Sequence, residues 1–275
     1  LLVTYLGFET VEIPVSEIKD SLRIALTPKK FLINEIVVKH KDPTWIIEKA
    51  LQKIPDNYHS SPYNLVAFYR ENIKENSDEI QFAEAILEIY KGNTSNNLDK
   101  DRIKLLKGRT KSDVKQTVLW EYLRFVDGPY DLLKADVVKN PTSFFSVSQN
   151  ELNFIHPKYF RYYDYKLMET LDVDKELYAI RFKPKPGKKW VIYEGTIFVE
   201  KKSYAIIGIE YTFNVDKINL AQIVDFNTQI ALEKAGAIIK AVDFYCFVAY
   251  KPYNNKWLYN QATMQYNFVF NEKIT

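Results

Sequence analysis

Apolar and polar positions alternate with a period of two through residues 176–214, and the rest of the chain is organised around this stretch. Such alternation is typical of strands that bury one face and expose the other to water. The apolar side carries Tyr178, Ile180 and Phe182 in the first strand, and Ala205, Ile207, Ile209, Tyr211 and Phe213 in the last. Gly208, Glu210 and Thr212 fall on the opposite side. With turns predicted at residues 185–188 and 200–203, the pattern indicates a three-stranded antiparallel meander.

Similar alternation predicts two hairpins. Residues 238–250 and 257–270 form a terminal hairpin with its turn at Asn254-Asn255, since asparagine tolerates left-handed backbone geometry. Residues 63–74 and 79–90 form another, although the Ala and Glu content of the second arm leaves a helix as its competitor. Further strands are expected at residues 1–8, 10–15, 21–26, 34–39, 101–109 and 159–173, while residues 111–125 are ambiguous between helix and strand.

Three segments favour helices. After Asp42 as N-cap and Pro43 as first helical residue, an apolar stripe runs to Ile54, and Pro55 is expected to stop the helix. Residues 128–139 form a shorter helix with Tyr130, Leu133 and Val137 on one side, and residues 219–234 a third. The predicted fold is α+β and mainly antiparallel β: a strongly curved, unclosed sheet with helices on its concave side.

Composition narrows the class of protein. Twenty Tyr, 17 Phe and 4 Trp suit antiparallel strands, in which aromatic rings pair across neighbours. A formal charge of +3 with interspersed signs argues against a nucleic-acid partner. The sequence has no run of eighteen apolar residues, so we expect no transmembrane helix. Because it starts at Leu1 rather than Met, we expect a fragment, a mature form, or the ordered part of a longer chain.

The sequence contains few candidates for chemistry. His40, His59 and His156 are far apart, so we expect no metal site, and turn chemistry accounts for His59-Ser60-Ser61 better than a nucleophile does. Cys246 is expected to be a buried structural thiol. Glu194 and Glu210 lie on neighbouring predicted strands and are the one candidate carboxylate pair, with solvated surface carboxylates as the favoured interpretation. We therefore predict no catalytic, cofactor-binding or metal-binding residues and no cofactor.

The tyrosine-rich segment at residues 159–165 places rings on both faces of one predicted strand. Ordinary core packing is the favoured interpretation, and the wall of an apolar cavity or a docking face is the alternative.

Near the start of the chain, three spaced elements resemble the last strands of the carboxypeptidase-regulatory-like domain of Bacteroidota outer-membrane proteins. They are Tyr5-Leu6-Gly7-Phe8, Leu26-Thr27-Pro28 and Asn34-Glu35-Ile36-Val37-Val38. Thr4 replaces the usual Ser, Ile33 departs from the pattern of the tail, and the Gly-rich opening strands are missing. The resemblance implies the final strands of a seven-stranded transthyretin-like sandwich in residues 1–40, without peptidase activity. Residues 41–275 would then form the curved-sheet domain.

A second resemblance concerns residues 178–185, 195–200 and 205–210. Their strand pattern is similar to that of the half-barrel of the periplasmic lipoprotein carrier LolA and its relatives. Both resemblances imply the Bacteroidota envelope.

Three hypotheses for function follow. The first is a non-enzymatic periplasmic protein, associated with the outer membrane, that serves as an accessory subunit of a protein complex there. The second is a carrier or sensor of a lipid or other apolar ligand held in the concave sheet. The third is a hydrolase that uses surface carboxylates, which requires that Glu194→Gln abolish turnover. The first leads because the resemblances point to the envelope and no catalytic set is visible.

Overall fold

The computed structural model describes most of the chain beyond residue 41 and short pieces before it. The described residues are 2–3, 11–14, 16, 23–25, 33–34, 42–75, 78–92, 100–111, 128–139, 154–170, 177–187, 193–213, 230, 234 and 239–270. Most of the strands predicted in residues 1–40 lie outside this set. Within it, β1 (Leu2–Val3) pairs antiparallel with β2 (Val11–Glu12), while residues 23–25 are not in a strand. The ambiguous segment 111–125 and most of the predicted helix 219–234 also lie outside the described residues.

A large antiparallel sheet dominates the structure. In it each strand pairs with the next along the chain: β7 (Tyr163–Thr170), β8 (Leu177–Pro184), β9 (Tyr193–Glu200), β10 (Ile206–Phe213), β11 (Ile239–Tyr253) and β12 (Lys256–Phe270). A two-residue strand, β3 (Ile33–Asn34), pairs with the free side of β7. Among the described residues the two end strands do not pair with each other, so the sheet is not closed into a barrel. The predicted fold class, α+β and mainly antiparallel β, is confirmed.

The turns of the large sheet have the backbone geometry that their residues favour. Asn254 and Asn255 adopt φ values of 47° and 63°, and Gly187 adopts 76°. Two successive left-handed residues match the twist of the flanking strands, which explains the two-residue connection between β11 and β12. The predicted terminal hairpin and its turn are confirmed.

The alternation in β10 is interrupted near its start. A register shift lies between Ile206 and Gly208 on the β9 side. As a result Ala205 and Ile206 are both fully buried, whereas Ile207 is only partly buried. The strict period of two predicted for this strand is therefore wrong up to Gly208, which is also buried. It is confirmed for residues 209–212, where buried and partly exposed side chains alternate.

A small antiparallel sheet is formed by β4 (Tyr63–Glu75), β5 (Asp78–Lys91) and β6 (Arg102–Lys111), in that order. The hairpin predicted for residues 63–74 and 79–90 is thus confirmed, and the helix considered for its second arm is excluded. The inner face of this sheet carries Leu87 and Ile89, which belong to the core. Its outer face carries Val66, Phe68 and Ile86.

The helices are short and differ in detail from the prediction. Those whose bounds fall within the described ranges are α1 (Thr44–Gln52), α2 (Ile54–Asn57), α3 (Pro129–Lys134) and a 3₁₀ helix (Pro157–Tyr162). Pro43 caps α1 rather than opening it, and the Asp42 side chain accepts a hydrogen bond from the Thr44 backbone N–H at 3.0 Å. Pro55 does not end the helical region, because it lies in the first turn of α2, where its missing N–H removes no helical hydrogen bond. None of the described helices has the length and apolar character needed to cross a membrane.

Two further element predictions are wrong in part. The helix expected to reach Lys139 ends at Lys134, and Tyr130 is exposed rather than packed beside Leu133 and Val137. Residues 157–162 form the 3₁₀ helix, so the tyrosine-rich strand begins only at Tyr163.

The helices and residues 154–162 contact one face of the large sheet, which we call the core face. Ile180, Ile197 and Ile209 on this face are fully buried. The Tyr58 hydroxyl, just after α2, donates to the Ile206 carbonyl at 2.5 Å. The Tyr259 hydroxyl donates to the Leu132 carbonyl in α3. These contacts fix the helices to β10 and β12.

Phe154 lies at the centre of the core face. Its ring stacks on Phe182 with centroids 3.9 Å apart, and its centroid lies 5.3 Å from that of Tyr211. Phe182 and Tyr211 are the two cross-strand partners of Gly195. An aromatic ring packed against both neighbours of a strand glycine compensates for the missing side chain. The sheet surface around Gly195 is therefore filled by Phe154, which leaves no room for an apolar ligand at this position.

Candidate functional site

A groove lies on the opposite face of the large sheet, which we call the groove face. The register places Arg181 on β8 and Glu210 on β10 as the two cross-strand partners of Thr196 on β9. One row further along, Thr212 pairs with Glu194 on one side and Tyr245 on the other. The groove has a volume of about 370 Å³ and is lined by Met168, Arg181, Glu194, Gly195, Thr196, Glu210 and Thr212.

The structure brings the two predicted carboxylates together. Glu210 on β10 is directly opposite Thr196 on β9, and Glu194 is two residues before Thr196 on β9. Both carboxylates therefore belong to the groove face. Diagonal neighbours of this kind have Cα atoms about 7–8 Å apart. The prediction that Glu194 and Glu210 lie on neighbouring strands is thus confirmed. Sequence reasoning missed Arg181. The predicted meander makes β8 a neighbour of β9, but nothing in the sequence gives the register that sets Arg181 opposite Thr196.

Burial dominates the electrostatics of Glu210. Loss of water around its carboxyl raises the pKa, while a hydrogen bond from the Thr196 side chain and the nearby Arg181 guanidinium partly offset that rise. Arg181 itself is exposed. The groove therefore contains a partly desolvated carboxyl on β10 and a solvated cation on β8, with a hydroxyl between them.

This arrangement fits binding better than hydrolysis. Glycosidases hold two carboxyl groups on either side of the scissile bond. Glu194 and Glu210 project from one face of one sheet, so a ligand lying in the groove would have both carboxyl groups on the same side. The groove supplies hydrogen-bond donors and acceptors for recognition, and this geometry does not favour the hydrolase hypothesis.

The raised pKa of Glu210 predicts that the stability contribution of this residue depends on pH. A carboxyl whose pKa is higher in the folded state opposes folding once it ionises, so its unfavourable contribution appears as pH rises through 4.5 and above. We expect Glu210→Gln to be more stable than the natural protein at pH 7, and the difference to vanish at pH 4. Urea unfolding at the two pH values measures this. Glu88→Gln, on the small sheet, is the control, and a gain from Glu210→Gln that is the same at both pH values would contradict the assignment.

The other candidates from the sequence do not assemble into a site. His59 packs beside Tyr63, with ring centroids 5.9 Å apart, and His156 Nδ1 accepts a hydrogen bond from the Lys158 backbone N–H. His40 lies outside the described residues. Within the described ranges, no group of three or more His, Cys, Asp or Glu side chains could hold a metal ion. Cys246 is fully buried, and burial raises the pKa of its thiol to about 12, which confirms a structural thiol.

The tyrosine-rich segment contributes mainly to the core. Tyr163 is almost fully buried, and the Tyr165 hydroxyl donates to the Phe154 carbonyl at 2.6 Å. Phe160 packs against Tyr165 with ring centroids 5.3 Å apart. These contacts agree with the favoured interpretation of this segment as core.

The outer face of the small sheet is a second candidate surface. The side chains of Val66 and Phe68 are unusually accessible, at 72% and 60%, and Phe68 lies directly opposite the exposed Ile86. Beside them Glu84 accepts hydrogen bonds from both Arg70 and Arg109, so the charged group spans all three strands. The sequence signal for this surface is that β4 is apolar at even as well as odd positions, a pattern that is unnecessary for a strand with one buried face.

A buried ion network joins the two sheets. Lys91, at the end of β5, is 2% exposed at its side chain and contacts Asp101 at 2.7 Å and Asp136 at 2.8 Å. Lys139 pairs with Asp101, and the Tyr250 hydroxyl donates to Asp136 at 2.9 Å. Burial opposes the charged form of Lys91, but the two aspartates outweigh it and raise the pKa of the amine. Each cation of the network lies close to a carboxylate. The network therefore has a structural role, because it links the end of β5, the residue before β6, β11 and the turn after α3.

A scan against family models and a search of the curated proteins each find no match for this chain.

Proposed function

We propose that the chain is a non-enzymatic interaction protein of the bacterial envelope, periplasmic and associated with the outer membrane. It serves there as an accessory subunit that docks onto a protein complex. The observation that carries this proposal is the exposed apolar centre on the outer face of the small sheet. The resemblance of residues 5–8, 26–28 and 34–38 to the regulatory-like domain supports the cellular setting.

The outer face has the anatomy of a protein interface. Its centre is formed by Val66, Phe68 and Ile86, and the Arg70–Glu84–Arg109 group lies at its rim. An apolar centre within a polar rim is the arrangement found in protein–protein interfaces. Apolar side chains that are grouped and highly exposed, rather than scattered, indicate a surface that is covered by a partner.

Charge on the outer face indicates the partner's chemistry. Five basic residues of β6 lie opposite β5 in the register: Arg102, Lys104, Lys107, Arg109 and Lys111. Only Glu84 and Glu88 among their β5 partners are acidic. Complementary charge guides association and excludes wrong partners. We therefore expect the partner surface to be apolar at its centre and acidic along the side that meets β6.

Packing on the core face argues for this role over that of an apolar-ligand carrier. A carrier needs an apolar cavity between the sheet and its helices. Ile47 and Ala50 of α1, Val137 after α3, and Phe154 are all fully buried against the core. At the places where these elements contact the sheet, the space is filled by the protein's own side chains.

Site-directed photo-crosslinking in the native envelope tests the proposal. A photoreactive phenylalanine analogue at position 66 is expected to form adducts with an outer-membrane protein, identified by mass spectrometry. The same analogue at position 253, an exposed tyrosine at the tip of the terminal hairpin, is the control. Adducts at position 66 that are no different from those at position 253 would refute docking through the small sheet.

A substitution provides the matched loss-of-function test. Phe68→Glu adds a charge to the apolar centre and is expected to reduce crosslinking from position 66 by at least about tenfold, as expected for an interface anchor. Tyr253→Glu is the matched aromatic control and is expected to leave crosslinking unchanged. Circular dichroism checks that both variants fold. Equal crosslinking in the two variants would show that Phe68 is not part of the interface.

A further inference from the structure

The groove on the large sheet has the volume of a small-molecule site and lies on a different sheet from the proposed docking surface. Its volume of about 370 Å³ lies within the lower part of the range for ligand pockets. It is bounded by four strands, because Met168 belongs to β7, Arg181 to β8, Thr196 to β9 and Glu210 to β10. Sites built on paired strands hold their side chains more rigidly than sites on loops.

The hydrogen-bonding groups of the groove differ in kind across one row. Arg181 can only donate, ionised Glu210 can only accept, and the Thr196 hydroxyl, which donates its proton to Glu210, has acceptor capacity left. In the next row Glu194 lies opposite Thr212, whose hydroxyl donates to the Phe244 carbonyl and likewise keeps acceptor capacity. A ligand group that both donates and accepts can satisfy all of these side by side. Alcohol hydroxyls have this property, and vicinal hydroxyls have it at two adjacent positions.

An aromatic ring stands at the edge of the same surface. Tyr245 is the cross-strand partner of Thr212, belongs to the groove face, and is 39% exposed. Burial, followed by the nearby Glu210 carboxylate, raises the pKa of the Tyr245 phenol to about 12, so the ring stays neutral. A neutral exposed ring next to hydroxyl-binding groups offers a flat apolar surface on which the C–H face of a sugar ring can pack.

We propose that this groove binds a neutral saccharide of one or two pyranose rings. Glu194 and Glu210 accept from its hydroxyls, Arg181 donates to its oxygens, and Tyr245 packs against its C–H face. A free ammonium compound matches the two carboxylates and can pack on the Tyr245 ring, but it leaves Arg181 without a role. A dipeptide zwitterion with aliphatic side chains, such as alanyl-alanine, matches the charges but has no ring face for Tyr245.

Saturation-transfer NMR with a panel of neutral sugars tests the inference. The probes are glucose, galactose, mannose, N-acetylglucosamine and maltose, with alanyl-alanine as the zwitterionic comparison. At least one sugar is expected to bind in the millimolar range, while alanyl-alanine does not. Binding is expected to weaken as pH falls toward 4.5, because protonated Glu210 no longer accepts with both oxygens.

Variants locate the binding in the groove. Glu210→Gln is expected to weaken sugar binding by at least about tenfold, the effect of losing a hydrogen bond to a charged group. Tyr245→Ala is expected to weaken it as well, whereas Tyr245→Phe retains it. Glu88→Gln on the small sheet is the control and leaves affinity unchanged. The proposal is overturned if no sugar binds, if alanyl-alanine binds instead, or if Glu210→Gln and Glu88→Gln have equal affinity.

This result is independent of the docking proposal. If no sugar binds but crosslinking from position 66 occurs as expected, only the groove assignment is overturned. If a sugar binds as expected but crosslinking from position 66 does not exceed that of the control, only the docking proposal is overturned.

Discussion

Lys91→Met is expected to destabilise the protein by about 3–5 kcal/mol, the cost of removing one partner from a buried ion pair. Methionine fills a similar volume but leaves Asp136 without its cation, while Asp101 keeps Lys139 as a cation and the Gly92 backbone N–H as a donor. Asp136 keeps the Tyr250 hydroxyl at 2.9 Å and the Val138 N–H at 3.2 Å as donors. These neutral groups reduce the penalty without replacing the charge. Urea unfolding of the variant and the natural protein measures the difference.

Lys104→Met is the matched control for this prediction. Lys104 is within 3.5 Å of Glu88, and both side chains are substantially exposed, at 72% and 41%. An exposed pair of this kind contributes at most about 1 kcal/mol. If Lys91→Met and Lys104→Met lower the free energy of unfolding by the same amount, the buried network does not have the structural role assigned to it.

Gly195→Ala is expected to destabilise the protein by about 3 kcal/mol, at the upper end for inserting one methyl group into a packed core. A Cβ atom at this position would lie 2.0 Å from the Glu210 carbonyl oxygen and 2.7 Å from the Tyr211 Cα. Both are backbone atoms of β10, so no side-chain rotation relieves the overlap and the two strands must separate. The free energy of unfolding measures the effect, and faster hydrogen exchange in β9 and β10 would locate it.

Gly108→Ala is the control for this glycine. At that position the nearest atoms to a Cβ are the Glu84 carbonyl oxygen and Leu105 Cδ1, both at 3.4 Å, and residue 108 is exposed. Alanine is favoured over glycine in a strand by up to about 1 kcal/mol, so this substitution is expected to be neutral or stabilising. Similar stabilities for the two variants would show that β9 and β10 are not held as close as the structure indicates.

The alternation of apolar residues was sufficient to predict most strands of the large sheet. Tyr178, Ile180 and Phe182 lie on the core face as expected, and the Asn254-Asn255 turn follows from the conformations that asparagine tolerates. These features depend on neighbouring residues alone. Strand register depends on more than neighbouring residues. The predicted meander put Glu194 and Glu210 on neighbouring strands, but without the register Arg181 could not be placed opposite Thr196.

Helix ends were predicted less well because side chains compete with the backbone. The α3 pattern continues to Lys139, but the Asp136 carboxylate accepts from the N–H groups of Val138 and Lys139. These local bonds stabilise a turn in place of another helical turn. They also orient Asp136 toward Lys91, a residue far away in the sequence. A charged residue buried by distant partners carries no local signal, so the ion network was not predictable.

The order of strands in the large sheet has a consequence for synthesis of the chain. β10 pairs on one side with β9 and on the other with β11, which begins 26 residues later at Ile239. Until the ribosome has produced the terminal hairpin, β10 presents an open hydrogen-bonding edge, and Ile209 and Tyr211 lack neighbours that they have in the native protein. Nascent or truncated chains that end before β11 are therefore expected to self-associate, because an unpaired strand edge beside exposed apolar side chains is a template for aggregation.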